Sequence, residues 1–266
     1  FRLPNMFRRF FAEGAFNAAF VPMFSAKLEG DEGPARFGSD ALNGLALVTL
    51  VLTAVAMIFM PALVWATAGG FGPERFDLTV GFGRIGFPYI FFMSLSALFS
   101  GILNATGRFA AAAAAPVLLN VLVITAMALA WATGGAAITW LVWTIPLAGI
   151  AQLALTWGAA ARAGFALSPG LPRWTPDMSQ MVRTAVPAAL ATGVMQINLV
   201  VGQLVASRFD SAVSWLFAAD RLYQLPLGVV GIAVGIVLLP ALARRIKAGA
   251  GVGARHDSSR ACELAR

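Results

Sequence analysis

Seven long apolar runs constrain this chain more than any other feature. They lie at about 1–27, 41–68, 79–105, 110–133, 137–161, 178–206 and 212–245. Each is roughly 20 residues or longer, enough for a helix to cross a hydrocarbon core about 30 Å thick. The breaks between them are polar or rich in Gly and Pro: LEGDEGPARFGSD, GGFGPERFD, NATGRF, ATGGAA, RAGFALSPGLPRWTPD and SRFDSA. Backbone N–H and C=O groups in lipid must be satisfied internally, so runs of this length read as helices. The expected fold is an all-α, polytopic transmembrane bundle of seven helices. Composition agrees: 59% of the residues are hydrophobic and only 12% charged, against about 25% charged in soluble domains.

The basic residues alternate between the two ends of these runs. One set of breaks holds Lys27 and Arg36, Arg108, Arg162 and Arg173, then Arg244, Arg245 and Lys247. The opposite set holds Arg75 and Arg208. Cytoplasmic loops carry the excess of Lys and Arg, so the first run is read as passing from outside to inside, and the last also ends inside. The break at 162–177, with Pro169, Pro172 and Pro176 around Trp174, reads as a cytoplasmic linker between two helical groups. Chain ends are also read: Phe1 already has mid-helix character, which points to a cut N-terminus.

Several function classes drop out. The formal net charge of +7 raises nucleic acid as a partner, but the bases sit where membrane topology places them, so no nucleic acid is expected. Cys262 is the single cysteine and His256 the single histidine, too few for a disulfide or a His/Cys zinc site. There is no phosphate loop, HExxH or GxSxG motif. No metal, no cofactor and no enzymatic activity are expected.

The residues that could carry function are charges placed inside apolar runs, where a charge at mid-bilayer costs about 2.5–3.5 kcal/mol on insertion scales. Arg2, Arg8, Arg9 and Glu13 sit in RLPNMFRRFFAEGAFNAAFVPMFSAK. Arg9 and Glu13 are four apart and can pair on one helix face, while Arg8 points about 100° away. Two readings of the arginines stand: snorkelling to headgroups, or guanidinium forks facing a wet cavity, matched to phosphate oxygens. Asp220 and Arg221, in WLFAADRLYQLP, are neighbours and do not face each other on a helix. They read either as partners in interhelical ion pairs or, for Arg221, as a second phosphate-binding group. Asn104 and Asn120, and likewise Gln196, Asn198 and Gln203, read as cavity-lining groups or as hydrogen bonds between helices. Arg84 reads as marking the outer interface. A faint repeat places AFVPMFSAK over VLLPALARR, with Pro22 on Pro240 and Arg2 on Asp220. Such repeats relate the halves of many transporters.

Three long stretches resemble a known family. LPNMFRRFFAEGAFNAAFVP resembles the signature of the MurJ (MviN) lipid II flippases, of the MOP transporter superfamily. FPYIFFMSLSALFSGILNATGRFAAAAAAPVLLN resembles that family's fourth and fifth helices, and SWLFAADRLYQLPLGVVGIAVGIVLLPALARR its eighth. The resemblance covers residues 1 to about 247. It implies part of a fourteen-helix, two-lobe transporter around a cationic cavity, in the bacterial inner (plasma) membrane. Residues 1–161 would hold family helices 2–6 of the first lobe and 162–177 the cytoplasmic linker. Residues 178–247 would begin the second lobe with helices 7–8. Residues 248–266, AGAGVGARHDSSRACELAR, read as a disordered or aberrant tail, and residues 1–266 alone as inactive in transport. The implied activity is translocation of the undecaprenyl-diphosphate-linked peptidoglycan precursor, with membrane lipids as surroundings and a monomer as the full-length form. The alternatives are a flippase for another polyprenyl-linked saccharide and a non-transporting membrane scaffold. By motif, Arg8 and Arg221 match cavity arginines, Glu13 an acidic position on the same helix, and Asn120 a cavity asparagine. Arg9 and Asp220 are the remaining substrate-binding candidates. Gln224 stands where an acid often follows ADRL, and Gly202 where some relatives carry an Asp linked to sodium, so the resemblance gives ion coupling no support and leaves the coupling ion open.

Overall fold

The computed structural model describes residues 16–30, 33–209 and 211–226. Every regular element among them is a helix. There are nine: α1 (Phe16–Glu29), α2 (Pro34–Ile58), α3 (Met60–Ala68), α4 (Pro73–Gly86), α5 (Tyr89–Ala105), α6 (Phe109–Thr133), α7 (Ala137–Arg162), α8 (Pro176–Ala206) and α9 (Ala212–Pro226). The fold class is the expected all-α one; the count of seven is corrected to nine among the described residues. Each expected run is helical where it is described, but two are broken. The run at 41–68 breaks at Phe59, between α2 and α3, and the run at 79–105 breaks at Phe87-Pro88, between α4 and α5. The cause is proline. Pro61 has no N–H for the carbonyl of Met57, and Pro88 none for that of Arg84. The Arg84 side chain reaches back instead, its Nε donating to the Met57 carbonyl at 3.2 Å. The two breaks face each other: a Cβ on Gly83 would lie 2.7 Å from the Met60 sulfur, so only glycine lets Met60 sit there. Pro116, Pro146 and Pro187 lie inside helices that continue through them.

The chain divides into two compact units, Phe1–Arg208 and Phe209–Arg266, with α9 in the second. In the first unit α5 is the central helix. Its Ile90, Leu98, Phe99, Ile102 and Leu103 are essentially inaccessible, and it packs against α1, α2, α6 and α7. On α1, Phe16, Phe20 and Phe24 recur at four-residue spacing, so their rings stack down one face with centroids 5.2 and 5.4 Å apart. Phe37 of α2 stacks on Phe20, and Phe165 meets the edge of Phe24. Large apolar side chains are exposed along α6 and α7, among them Val117, Ile124, Met127, Trp131, Trp143 and Ile150. Together with the lengths of α2, of α4–α5, of α6 and of α7, this is a lipid-facing surface.

Two pairs of breaks meet, each pair drawn from one side of the charge alternation. At one end Lys27 meets Asp177, and the segment after α7 lies on α2. At the other, the Gly70 N–H donates to the Ser207 hydroxyl at 3.1 Å. The linker is docked. Ser39 Oγ accepts from the Ser168 N–H at 3.3 Å, and Asn43 Oδ1 accepts from the Gly170 N–H at 2.8 Å. Leu167 is buried against Gly38 and Phe24.

Candidate functional site

Sequence reasoning places its site on residues the structure describes unevenly. Arg8, Arg9 and Glu13 lie outside the described residues, as does Pro240 of the repeat. Arg221 belongs to α9, but its side chain is outside the description, and Asp220 is half-buried on the same helix. Asn120 is exposed on α6, and so is Asn104 at the end of α5; neither forms a side-chain hydrogen bond among the described residues. The hydrogen-bonding reading of these two asparagines therefore does not hold there. Arg84 is exposed, and its role is local, on the Met57 carbonyl.

Two polar groupings do assemble. The first is dry. On α7, Gln152 is 1% exposed. Its Nε2 donates to the Ala115 carbonyl of α6 at 2.6 Å, and its Oε1 accepts from the Tyr89 hydroxyl of α5 at 3.4 Å. One turn on, Thr156 shares a hydrogen bond of 3.1 Å with Ser96 of α5. Gly149 lets the helices approach: a Cβ there would lie 2.9 Å from the Tyr89 ring. Three helices are thus tied through side chains that bear no charge. In the sequence Gln152 is the one amide side chain in this apolar run.

The second grouping is charged and borders an open pocket, at the end of the bundle where α1, α2 and α8 meet. The Lys27 ammonium, in the last turn of α1, lies 3.0 Å from a carboxylate oxygen of Asp177 in the first turn of α8. It also sits 5.7 Å from the centroid of the Phe37 ring, a cation–π contact. An acid in a helix's first turn and a base in a helix's last turn each suit the helix dipole. Beside the pair opens a pocket of about 300 Å³, lined by Gly33, Arg36, Phe37, Asp40, Thr175 and Asp177. Thr175 caps α8, its hydroxyl accepting from the Met178 N–H at 3.3 Å. Sequence reading used Lys27 and Arg36 only for topology, because nothing in a linear pattern joins Lys27 to Asp177. Among the described residues no three His, Cys, Asp or Glu side chains converge as metal ligands.

A helical bundle with a lipid-facing exterior, two helices broken at proline and charges gathered at one end defines a polytopic membrane protein. The chain belongs to the lipid II flippase MurJ family, whose family model matches residues 1–265. A probable lipid II flippase MurJ of Rhizobium tropici is 48% identical over 94% of this chain and 48% of its own length. A lipid II flippase MurJ of Burkholderia cenocepacia is 35% identical over 92% of this chain and 49% of its own. A solved structure of lipid II flippase MurJ in an inward closed conformation superposes with a TM-score of 0.75 at 26% identity, over 92% of this chain and 51% of that one. The chain spans about half the length of the curated relatives it matches.

Proposed function

We propose that this chain is part of a lipid II flippase of the bacterial inner membrane, which moves a polyprenyl-diphosphate-linked peptidoglycan precursor and performs no chemistry on it. The observation that carries this reading is the family match over residues 1–265. The reading extends to the organisation. Residues 1–161 belong to one lobe, 162–177 connect the lobes, and 178–247 begin the second, in a protein that works as a monomer. Arg8 and Arg221 hold the diphosphate, with Arg9, Glu13, Asp220 and Asn120 around them. A guanidinium in lipid is costly, whereas one in a wet cavity clamps a diphosphate through parallel hydrogen bonds.

The test uses a full-length protein carrying these residues, in a strain depleted of its own flippase. Arg8→Ala or Arg221→Ala abolishes rescue while the protein remains in the membrane. Arg→Lys restores part of it, because a point charge keeps the attraction but loses the fork. Rescue at the parental level by both alanine variants would overturn the assignment of these arginines. Failure of the unaltered protein to rescue would overturn the flippase reading itself.

A further inference from the structure

Beside the Lys27–Asp177 pair lies a second carboxylate, that of Asp40. Asp40 is 7% exposed, yet among the described residues it makes no hydrogen bond and no ion pair. It lines the 300 Å³ pocket beside Asp177, whose own carboxylate is taken by Lys27. Its oxygens reach the open pocket, so the charge stays hydrated while no described cation pairs with it. The cation to consider is Lys27. Its ammonium rests on the Phe37 ring, and Asp40 follows Phe37 by three residues, on the same face of α2. Asp177 and Asp40 thus line one pocket beside that cation, the first on α8 and the second on α2.

We propose that Lys27 is a gate residue with two stations. With the first turn of α8 seated against α1, as here, it holds that turn through Asp177. When α8 withdraws, the same ammonium turns to Asp40 and remains paired within α1–α2. This rests on the reading that α8 begins a second lobe, which moves against the first during transport. A partly exposed pair of this kind biases an equilibrium by up to about fivefold. That suits a latch that must release thermally, and the second acceptor makes the two states nearly even.

The experiment reads the position of α8 directly. Met178, in the first turn of α8, is 5% exposed. In a full-length protein with Cys262→Ala, Met178→Cys reports opening through its rate of labelling by a membrane-impermeant thiol reagent, in inverted vesicles free of lipid-linked precursor. Asp177→Asn raises that rate about three- to fivefold, the range of a lost half-exposed pair. Asp40→Asn lowers it by a similar factor, because the open state loses its acceptor; a purely structural Asp40 would leave the rate unchanged or raise it. The exchange Lys27→Asp with Asp177→Lys gives a rate at or below the parental one. The pair is kept, and an open state would set the introduced α1 carboxylate beside Asp40, two like charges together. A flat response to Asp177→Asn, or a rate not lowered by Asp40→Asn, or an exchange variant that labels faster than the parent, overturns the latch. Because labelling needs no substrate, the latch and the flippase reading fail separately: one in the vesicles, the other in the depleted strain.

Discussion

The seam between α5, α6 and α7 and the mouth between α1, α2 and α8 solve opposite problems with polar side chains. In the seam, Tyr89, Ser96, Gln152 and Thr156 are neutral, buried and bonded to one another or to backbone. Neutral groups can be taken out of water when their partners are fixed, and doing so locks three helices in register. In the mouth, Lys27, Arg36, Asp40 and Asp177 are charged and lie at helix ends beside an open pocket. Charges so placed keep part of their hydration, form weak pairs and can exchange partners. The seam is built to stay and the mouth to move.

Four substitutions in a full-length protein would break or sharpen that contrast, with stability followed by denaturation in mixed micelles. The largest effect is expected for Gly149→Val. Its Cβ would start 2.9 Å from the Tyr89 ring and 3.1 Å from Phe92, and overpacking of this kind costs about 1–3 kcal/mol. Next is Gln152→Leu, which leaves the Ala115 carbonyl and the Tyr89 hydroxyl without their partner; about 1–2 kcal/mol is expected, the upper range for polar ties in membranes. Thr156→Val keeps the shape but removes the Ser96 partner, and should cost about 0.6 kcal/mol. Smallest is Lys27→Met. Its pair with Asp177 is half exposed on the acid's side, at 43%, so stability should shift by less than about 1 kcal/mol. Were Lys27→Met to destabilise as strongly as Gly149→Val, the mouth would be a structural element and the contrast would fail.

Much of the fold was legible in the sequence because membrane insertion is itself a reading of hydropathy. Every apolar run is helical where it is described, apart from two interruptions, and the alternation of Lys and Arg grouped the pairs of breaks that meet. The breaks at Phe59 and Phe87-Pro88 were less legible, since Pro61 and Pro88 interrupt a helix whereas Pro116, Pro146 and Pro187 are absorbed by theirs. What separates the two cases is tertiary: a Met60 seated on Gly83 and an Arg84 able to reach Met57. The candidate site was legible only where local chemistry announced it. Charges inside apolar runs drew notice to Arg8, Arg9, Glu13, Asp220 and Arg221. Asp40 and Asp177 sit in polar breaks, where an acid is unremarked, and their significance appears only when α8 is laid beside α2. The same holds for Gln152, one polar residue in an apolar run until Ala115 and Tyr89 are brought to it.

The docking of the linker sets a length. Thirteen residues, 163–175, separate α7 from α8, which if loose could span roughly 45 Å at full extension. Ser39 and Asn43 hold the stretch as far as Gly170. While those bonds persist, only residues 171–175 are free to extend, a tether of at most about 17 Å. The excursion of the first turn of α8 away from α2 is thereby bounded by five residues, and lengthening that short stretch with flexible residues would alter the travel of the helix without touching any charge.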